Sequence, residues 1–194
     1  MGKGRLEAFS DGVLAIIITI MVLEIKVPHG ADLAALYPLV PLFSSYVLSF
    51  VYVGIYWNNH HHLMHTVKKV TGGIMWANLH LLFWLSLLPV VTGWAGENFA
   101  APVPAAFYGG VLLMAAFAWL VLQRTIIRAG GTLATAIGAD FKGKLSALIY
   151  ALGIALAFVR PWLAEASFAL VAMIWIVPDR RIESTLAARS PPDA

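Results

Sequence analysis

Residues 5–27 constrain the fold most, because an apolar run follows directly on an ionisable cluster there. The chain carries no charged residue over residues 12–23. A helix needs about 20 mostly apolar residues to cross a bilayer, and a charge buried there costs several kcal/mol unless it is paired or hydrated. The cluster ahead of the run consists of Arg5, Glu7, Ser10 and Asp11. It therefore marks a candidate functional site at the start of a membrane helix.

The composition of the whole chain is that of an integral membrane protein. Hydrophobic residues make up 60% and charged residues 12%, whereas a soluble domain has about 25% charged residues to cover its surface. The absence of cysteine excludes disulfides and thiolate metal sites. The first apolar segment has no small-residue cleavage site, so we expect a retained helix rather than a signal peptide.

Hydropathy predicts an all-α fold with six transmembrane helices. The apolar segments lie at about 5–26, 38–65, 73–94, 103–127, 143–160 and 162–177. We expect a tight hairpin between the last two segments and no helix broken in mid-span. The loop that Gly130 opens could contain a short interfacial helix. These segments define a transmembrane domain over residues 1–178 and a cytoplasmic tail over residues 179–194.

The basic residues are distributed unequally between the loops. With a cytoplasmic N-terminus, eleven lie in inner segments, and only Lys26 and Arg160 lie in outer loops. This positive-inside asymmetry places both termini inside, as six passes require, and predicts a multi-pass protein of the cell inner (plasma) membrane. The inner set accounts for the net charge of +3, so we expect the lipid bilayer and no nucleic acid as a partner. Its members are Lys3, Arg5, Lys68, Lys69, Arg124, Arg128, Lys142, Lys144, Arg180, Arg181 and Arg189.

One face of the predicted first helix is almost entirely apolar. At 100° per residue it carries Phe9, Gly12, Ile16, Ile20 and Leu23, with Thr19 on its shoulder. If several copies of the helix surround an axis, this face presents aliphatic rings broken by one hydroxyl. Aliphatic rings close a pore by dewetting, and hydroxyl oxygens replace part of an ion's hydration shell. The alternative is that the same side chains pack in a core, and periodicity leaves both interpretations open.

The charges at the start of this helix need partners elsewhere. Arg5 and Asp11 are six residues apart, so they do not face each other as an i,i+4 pair does. An unpaired buried charge is costly, which predicts that each pairs with another helix or another subunit. A purely architectural ion pair and a role in gating or conduction both remain open.

The second segment ends in a histidine cluster, with four histidines between His60 and His65. His61 and His65 have the i,i+4 spacing of a two-point metal ligand, but no HExxH pattern or nearby carboxylate supports catalytic zinc. The other interpretations are hydrogen bonding to Ser10 or Asp11, and proton sensing near neutral pH. We expect no metal to be bound here.

Polar side chains in the third segment extend this group. We expect His60, Trp76 and Asn78 to form an interhelical polar network with the start of the first helix, because buried indole and amide groups need partners. The chain has no Walker A or GxGxxG loop, and no Ser/His/Asp or paired-carboxylate arrangement at matching depth. We therefore expect neither an enzyme nor a cofactor.

The run Arg5-x-x-x-Phe9-Ser10-Asp11-Gly12, followed by an Ile-rich helix, resembles the signature of the transmembrane protein 175 family of potassium channels. Further matches are Trp57 with His60, Asn78-Leu79 and Leu88-Pro89. The resemblance extends over residues 5–89 and implies six helices per repeat, with prokaryotic members assembling as homotetramers. It also implies a pore that is lined by the first helix and lacks a TVGYG filter.

By position after the motif, the resemblance places the principal hydrophobic constriction at Ile16. It places a hydroxyl layer at Thr19 and the next hydrophobic ring at Leu23, with Ile20 between them. Glu24 stands at the outer end of the helix, where four carboxylates could concentrate cations; pairing with Lys26 or a headgroup is the alternative.

The expected function is a passive potassium-selective channel, with K+ as the permeant ion and rubidium and caesium also permeant. A proton-conducting or pH-responsive channel of the same architecture is the first alternative, suggested by six histidines in a chain with few other titratable groups. A metal transporter or membrane enzyme that uses the cluster from His60 to His65 is the remote alternative.

Overall fold

The chain forms a bundle of α-helices in a computed structural model that describes residues 2–130 and 141–176. The elements are α1 (Lys3–Leu23), a 3-10 helix (Leu33–Leu39), α2 (Val40–His65), α3 (Gly72–Ser86), α4 (Leu88–Glu97), α5 (Pro102–Arg128), α6 (Phe141–Ala157) and α7 (Pro161–Ile176). The optional interfacial helix in the loop after Gly130 and the tail 179–194 lie outside the described residues.

Four helical segments of the described chain are long and apolar enough to cross a membrane. They are α1, the 3-10 helix with α2, α3 with α4, and α5. The last two helices are shorter, at 17 residues for α6 and 16 for α7. At 1.5 Å per residue they approach the lower length limit for a span, about 17 residues.

The third segment contains a break that the sequence analysis did not expect. Helix α3 ends at Ser86 and α4 begins at Leu88, so the expectation of no break in mid-span is wrong. Pro89 has no N–H to donate, and its ring crowds the carbonyl of Leu85 one turn earlier. The N–H of Leu87 accordingly donates to Trp84 in a tighter turn, at 3.2 Å.

Contacts at both ends of the bundle show the directions of its first helices. Trp57, late on α2, bonds to Asp11 near the start of α1, so α1 and α2 are antiparallel. Ser10 of α1 bonds to Asn78 of α3, and Lys26, just after α1, pairs with Glu97 at the end of α4, at 3.1 Å, so α1 runs parallel to α3 and α4. Helices α6 and α7 form a hairpin against α5. The ring of Phe168 fits against Gly109, where an added Cβ would lie 2.5 Å from it. Close approach at glycine thus holds the three helices together.

Candidate functional site

Helix α1 packs on the bundle with one face only. The spacing of its buried residues is four, four, three and four, which forms a single stripe along the helix. They are Leu6, Ser10, Leu14, Ile17 and Met21. They contact α2, α3 and α4, so the rotation of α1 about its axis is set by the core.

The opposite face of α1 is open. Phe9 is 51%, Ile16 58%, Ile20 43% and Leu23 80% exposed in the single chain, and Gly12 is exposed between them. These are the residues that helical periodicity placed on one face. Packing in the core of the same chain was the alternative for this face, and the structure does not show it. The face is available to lipid, to another copy of the chain, or to a pore.

Thr19 lies on the same open side. Its hydroxyl Oγ1 donates to the carbonyl oxygen of Ile16 at 2.9 Å. The hydroxyl proton therefore points back along the helix, and the lone pairs of the oxygen remain on the open side of α1. A hydroxyl in this orientation can act as an oxygen ligand for a cation.

A buried chain of three polar side chains connects α1 to α3 and α2. The Asn78 amide Nδ2 donates to Ser10 Oγ at 2.9 Å, and His60 Nε2 lies 2.7 Å from Asn78 Oδ1. Because an amide oxygen only accepts, His60 must carry its proton on Nε2. All three residues are buried. Each of the three side chains thus has a hydrogen-bond partner within the apolar bundle.

Asp11 has a partner that the sequence analysis did not include in the network. The indole Nε1 of Trp57 donates to Asp11 Oδ1 at 3.1 Å. Trp57 is on α2, one turn before His60, so both side chains lie on the same side of α2. That i,i+3 spacing was the signal that could have identified Trp57.

Two other residues of the expected network are not joined to it. Trp76 is 75% exposed, and it lies two residues from Asn78, which is about 200° around a helix. Its inclusion in the interhelical network is therefore wrong for the single chain. Arg5 is also exposed and forms no ion pair with any residue that the structure describes.

The histidines that follow His60 are outside the buried chain. His61 and His65 are exposed, with their Nε2 atoms 3.1 Å apart, and His62 is half-buried. Within residues 2–130 and 141–176, no group of three or more His, Cys, Asp or Glu residues could hold a metal ion.

Glu24 ends α1 as its C-terminal cap and is exposed. Lys26, which the sequence suggested as its alternative partner, instead pairs with Glu97 at 3.1 Å. In the described part of the chain Glu24 forms no ion pair, and its carboxylate lies toward α4, where an added Cβ at Gly93 would be 3.8 Å from Oε2.

A second buried polar group stabilises the bundle and was not anticipated. The Ser49 hydroxyl lies 2.7 Å from Thr92 Oγ1 and 2.9 Å from the Tyr108 hydroxyl. These contacts join α2, α4 and α5 within the apolar core. Hydroxyl residues inside apolar spans are a weak sequence signal, because Ser and Thr also bond to the backbone of their own helix.

Comparison with known proteins identifies a family that this chain resembles. The profile of the family described as "Endosomal/lysosomal potassium channel TMEM175" matches residues 5–89. A protein of Chryseobacterium sp. (strain P1-3) named as a potassium channel is 58% identical over 96% of this chain and 98% of its own length. Another of Streptomyces collinus, with the same kind of name, is 34% identical over 89% of this chain and 91% of its own.

Two further comparisons concern structure and animal relatives. The crystal structure described as a lysosomal potassium-selective channel TMEM175 homolog from Chamaesiphon minutus matches with a TM-score of 0.79 and 30% identity. That match covers 90% of this chain and 96% of the other. The human protein named endosomal/lysosomal proton channel TMEM175 is 37% identical over 102 residues, which are 46% of this chain and 20% of that protein.

Proposed function

This chain belongs to the TMEM175 family of ion channels, and from that premise we propose that four copies form a potassium-selective channel with α1 at its centre. The family is one of channels, so the chain is a multi-pass membrane protein and not an enzyme. Potassium passes down its gradient, and the channel takes no cofactor.

The open face of α1 carries this proposal. Lipid alone would cover an apolar helix face in a bilayer, but a channel family implies a pore, and closed cyclic symmetry lets identical faces meet around an axis. In that arrangement Ile16, Ile20 and Leu23, all exposed in the single chain, form successive aliphatic rings. The packed stripe opposite them supports each copy of α1 from behind.

The proposed topology has six spans, with both termini in the cytoplasm of a cell whose inner (plasma) membrane holds the protein. The eleven inner basic residues against two outer ones support it. The Lys26–Glu97 contact supports it as well, because it joins the ends of α1 and α4 on one side. The channel domain extends over residues 1–178, and residues 179–194 form a cytoplasmic tail.

Potassium preference arises, in this proposal, at a hydrophobic neck formed by Ile16 and at the hydroxyl layer of Thr19. Sodium holds its water more tightly than potassium, so a narrow apolar ring penalises sodium more. Such a neck has no cavity tuned to one ion, and we therefore expect moderate selectivity, with rubidium and caesium also permeant.

Ion flux from liposomes that contain the purified protein tests the proposal. We expect potassium, rubidium and caesium gradients to drive flux, a weaker sodium flux, and a tetramer by native mass spectrometry. Equal potassium and sodium fluxes would contradict the potassium-selective assignment. A conducting monomer or dimer would contradict the arrangement around α1.

A proton-conducting or pH-responsive channel of the same architecture is the second candidate. It is favoured by the animal relatives, which are named as proton channels and are 37% identical over 102 residues in the human protein. The same liposomes separate the two candidates. A pH gradient at symmetrical potassium that produces a flux equal to that of a potassium gradient supports the second.

Replacement of Thr19 by Val tests the hydroxyl layer, since it removes the oxygen at nearly constant volume. We expect the potassium-to-sodium permeability ratio to fall roughly two- to fivefold, a change of less than about 1 kcal/mol in barrier difference. Reversal potentials under potassium–sodium gradients measure it, with Thr19→Ser as the control that keeps the hydroxyl. An unchanged ratio in Thr19→Val would leave the Ile16 neck as the filter.

Glu24→Gln tests the outer cation ring. Four carboxylates at the outer mouth raise the local cation concentration, so we expect the variant to lower potassium conductance at about 0.01 M salt and to match wild type near 1 M. The Debye length falls from about 30 Å to about 3 Å over that range. Glu97→Gln, the same charge change at the paired carboxylate, serves as the control. Equal conductance of Glu24→Gln and wild type at low salt would exclude the ring.

A further inference from the structure

In the proposed topology an apolar groove lies on the outer half of the bundle, away from the polar chain at the start of α1. It has a volume of about 670 Å³ and is walled by residues of α3, α4, α5 and α6. Volumes of about 300–1,000 Å³ are typical of sites for organic ligands. Two indole groups supply its only polar side-chain atoms, and its lining includes no charged residue among those that the structure describes.

The groove exists because the residues at its floor are small. Ala106 and Gly110 are one turn apart on α5 and both line it. An added Cβ at Gly110 would meet nothing within 4 Å, so the space above this glycine is open. Trp94 and Phe107 form one wall, with their rings edge to face and 5.4 Å between centroids. The helix break at Leu87 also borders the groove.

Water is a poor occupant of such a groove, because a bound water needs about two to four polar partners. A hydrocarbon chain needs none and matches an apolar wall in the membrane. Helices α4 and α6 end, and α5 begins, at the outer end of the groove, so the groove runs inward from the outer headgroup region. Its axis therefore follows the direction of a lipid chain in the outer leaflet.

A basic residue lies close in sequence to the outer end of the groove. Phe158 lines the groove just beyond α6, and Arg160 follows it by two residues in the exposed turn before α7. Of the two outer basic residues, Lys26 is paired with Glu97, whereas Arg160 forms no ion pair within the described ranges. An exposed guanidinium at headgroup level suits a phosphate group.

We propose that this groove binds one phospholipid of the outer leaflet per subunit, with an acyl chain over Ala106 and Gly110 and the phosphate at Arg160. The chain supplies most of the contact area, and Arg160 selects a phosphate headgroup over an uncharged one. The site is separate from the proposed pore face, so its presence or absence does not decide whether the protein conducts potassium.

Native mass spectrometry of the delipidated, detergent-purified protein tests the site. The probes are palmitoyl-oleoyl phosphatidylglycerol and the diacylglycerol with the same chains, which lacks the phosphate. We expect wild type to retain one phosphatidylglycerol per subunit and to retain diacylglycerol roughly fivefold less, as expected for one basic residue near the headgroups. Inorganic phosphate should not compete with the lipid.

Four variants separate the two parts of the site. Gly110→Leu fills the groove and should abolish retention of both probes, whereas Ala166→Leu, at an exposed alanine on α7 outside the groove, should leave it unchanged. Arg160→Gln should lower phosphatidylglycerol retention to the diacylglycerol level, and Arg160→Lys should restore part of the difference.

Three outcomes overturn the proposal. Unchanged phosphatidylglycerol retention in Gly110→Leu would show that the lipid binds elsewhere, and unchanged retention in Arg160→Gln would remove the headgroup contact. Loss of the oligomer in Gly110→Leu, with no lipid bound to wild type, would make the groove an interface between copies of the chain.

Discussion

Replacing Ile16 by Asn is expected to raise potassium leak by roughly tenfold or more. Ile16 is 58% exposed on the open face of α1, where four copies would close an apolar ring. A narrow aliphatic ring excludes water from the closed pore, and four amides at the same level would admit it. A tenfold rise corresponds to about 1.4 kcal/mol off the barrier. Because the hydrated ring no longer dehydrates sodium selectively, we expect the potassium preference to fall as well.

Liposome flux at equal protein density measures this effect. Ile16→Val is the control that keeps the ring apolar, and it should stay close to wild type. Ile17→Asn is the matched control on the opposite face: Ile17 is buried, so that variant should lose assembled protein rather than gain leak. If Ile16→Asn assembles and conducts as wild type does, Ile16 does not line the pore.

Replacing Asn78 by Leu is expected to destabilise the protein by roughly 1–3 kcal/mol. The change removes the acceptor for His60, and a buried group left unpaired costs about 1–3 kcal/mol. Ser10 loses the donor from Asn78 but keeps its own hydrogen bond to the carbonyl of Leu6, at 2.9 Å. For a chain of this size the melting temperature should fall by about 2–4 °C per kcal/mol. Thermal unfolding of the detergent-purified protein, followed by size-exclusion chromatography, measures the loss.

Three further variants serve as controls for that result. Asn98→Leu makes the same change at an exposed residue and should alter stability by less than about 1 kcal/mol. The double variant His60→Leu with Asn78→Leu removes both partners and should recover part of the loss, since an apolar pair of similar shape is nearly neutral. Asn78→Asp keeps an acceptor for His60 and should be intermediate. A wild-type melting temperature for Asn78→Leu would contradict a stabilising role.

The polar contacts around α1 were predicted in part from the residue pattern of each helix. The sequence indicated that Ser10, His60 and Asn78 need partners, because isolated polar groups are costly inside an apolar bundle. It indicated Trp76 as the indole near them, whereas Trp57 is the one that bonds to Asp11. Which indole meets Asp11 depends on the rotation and axial register of α2 and α3 against α1, and periodicity within one helix carries no information about either.

The sequence by itself determined where the apolar segments lie along the chain and which residues share each helix face. Apolar runs have to match the thickness of a bilayer, and the residues that share a face follow from 100° per residue, so both are local properties. The α1 face with Ile16 and Leu23 was identified in this way, as was the ionisable cluster before it.

Only the tertiary structure decided which face of α1 is packed, because both faces are apolar and periodicity ranks neither. Side-chain fit against α2, α3 and α4 selects the stripe with Leu14 and Ile17 for the core and leaves Ile16 open. The break at Leu87 and the groove above Gly110 were likewise decided there. Both features depend on the distances between neighbouring helices. The residue pattern of a single helix carries no information about those distances.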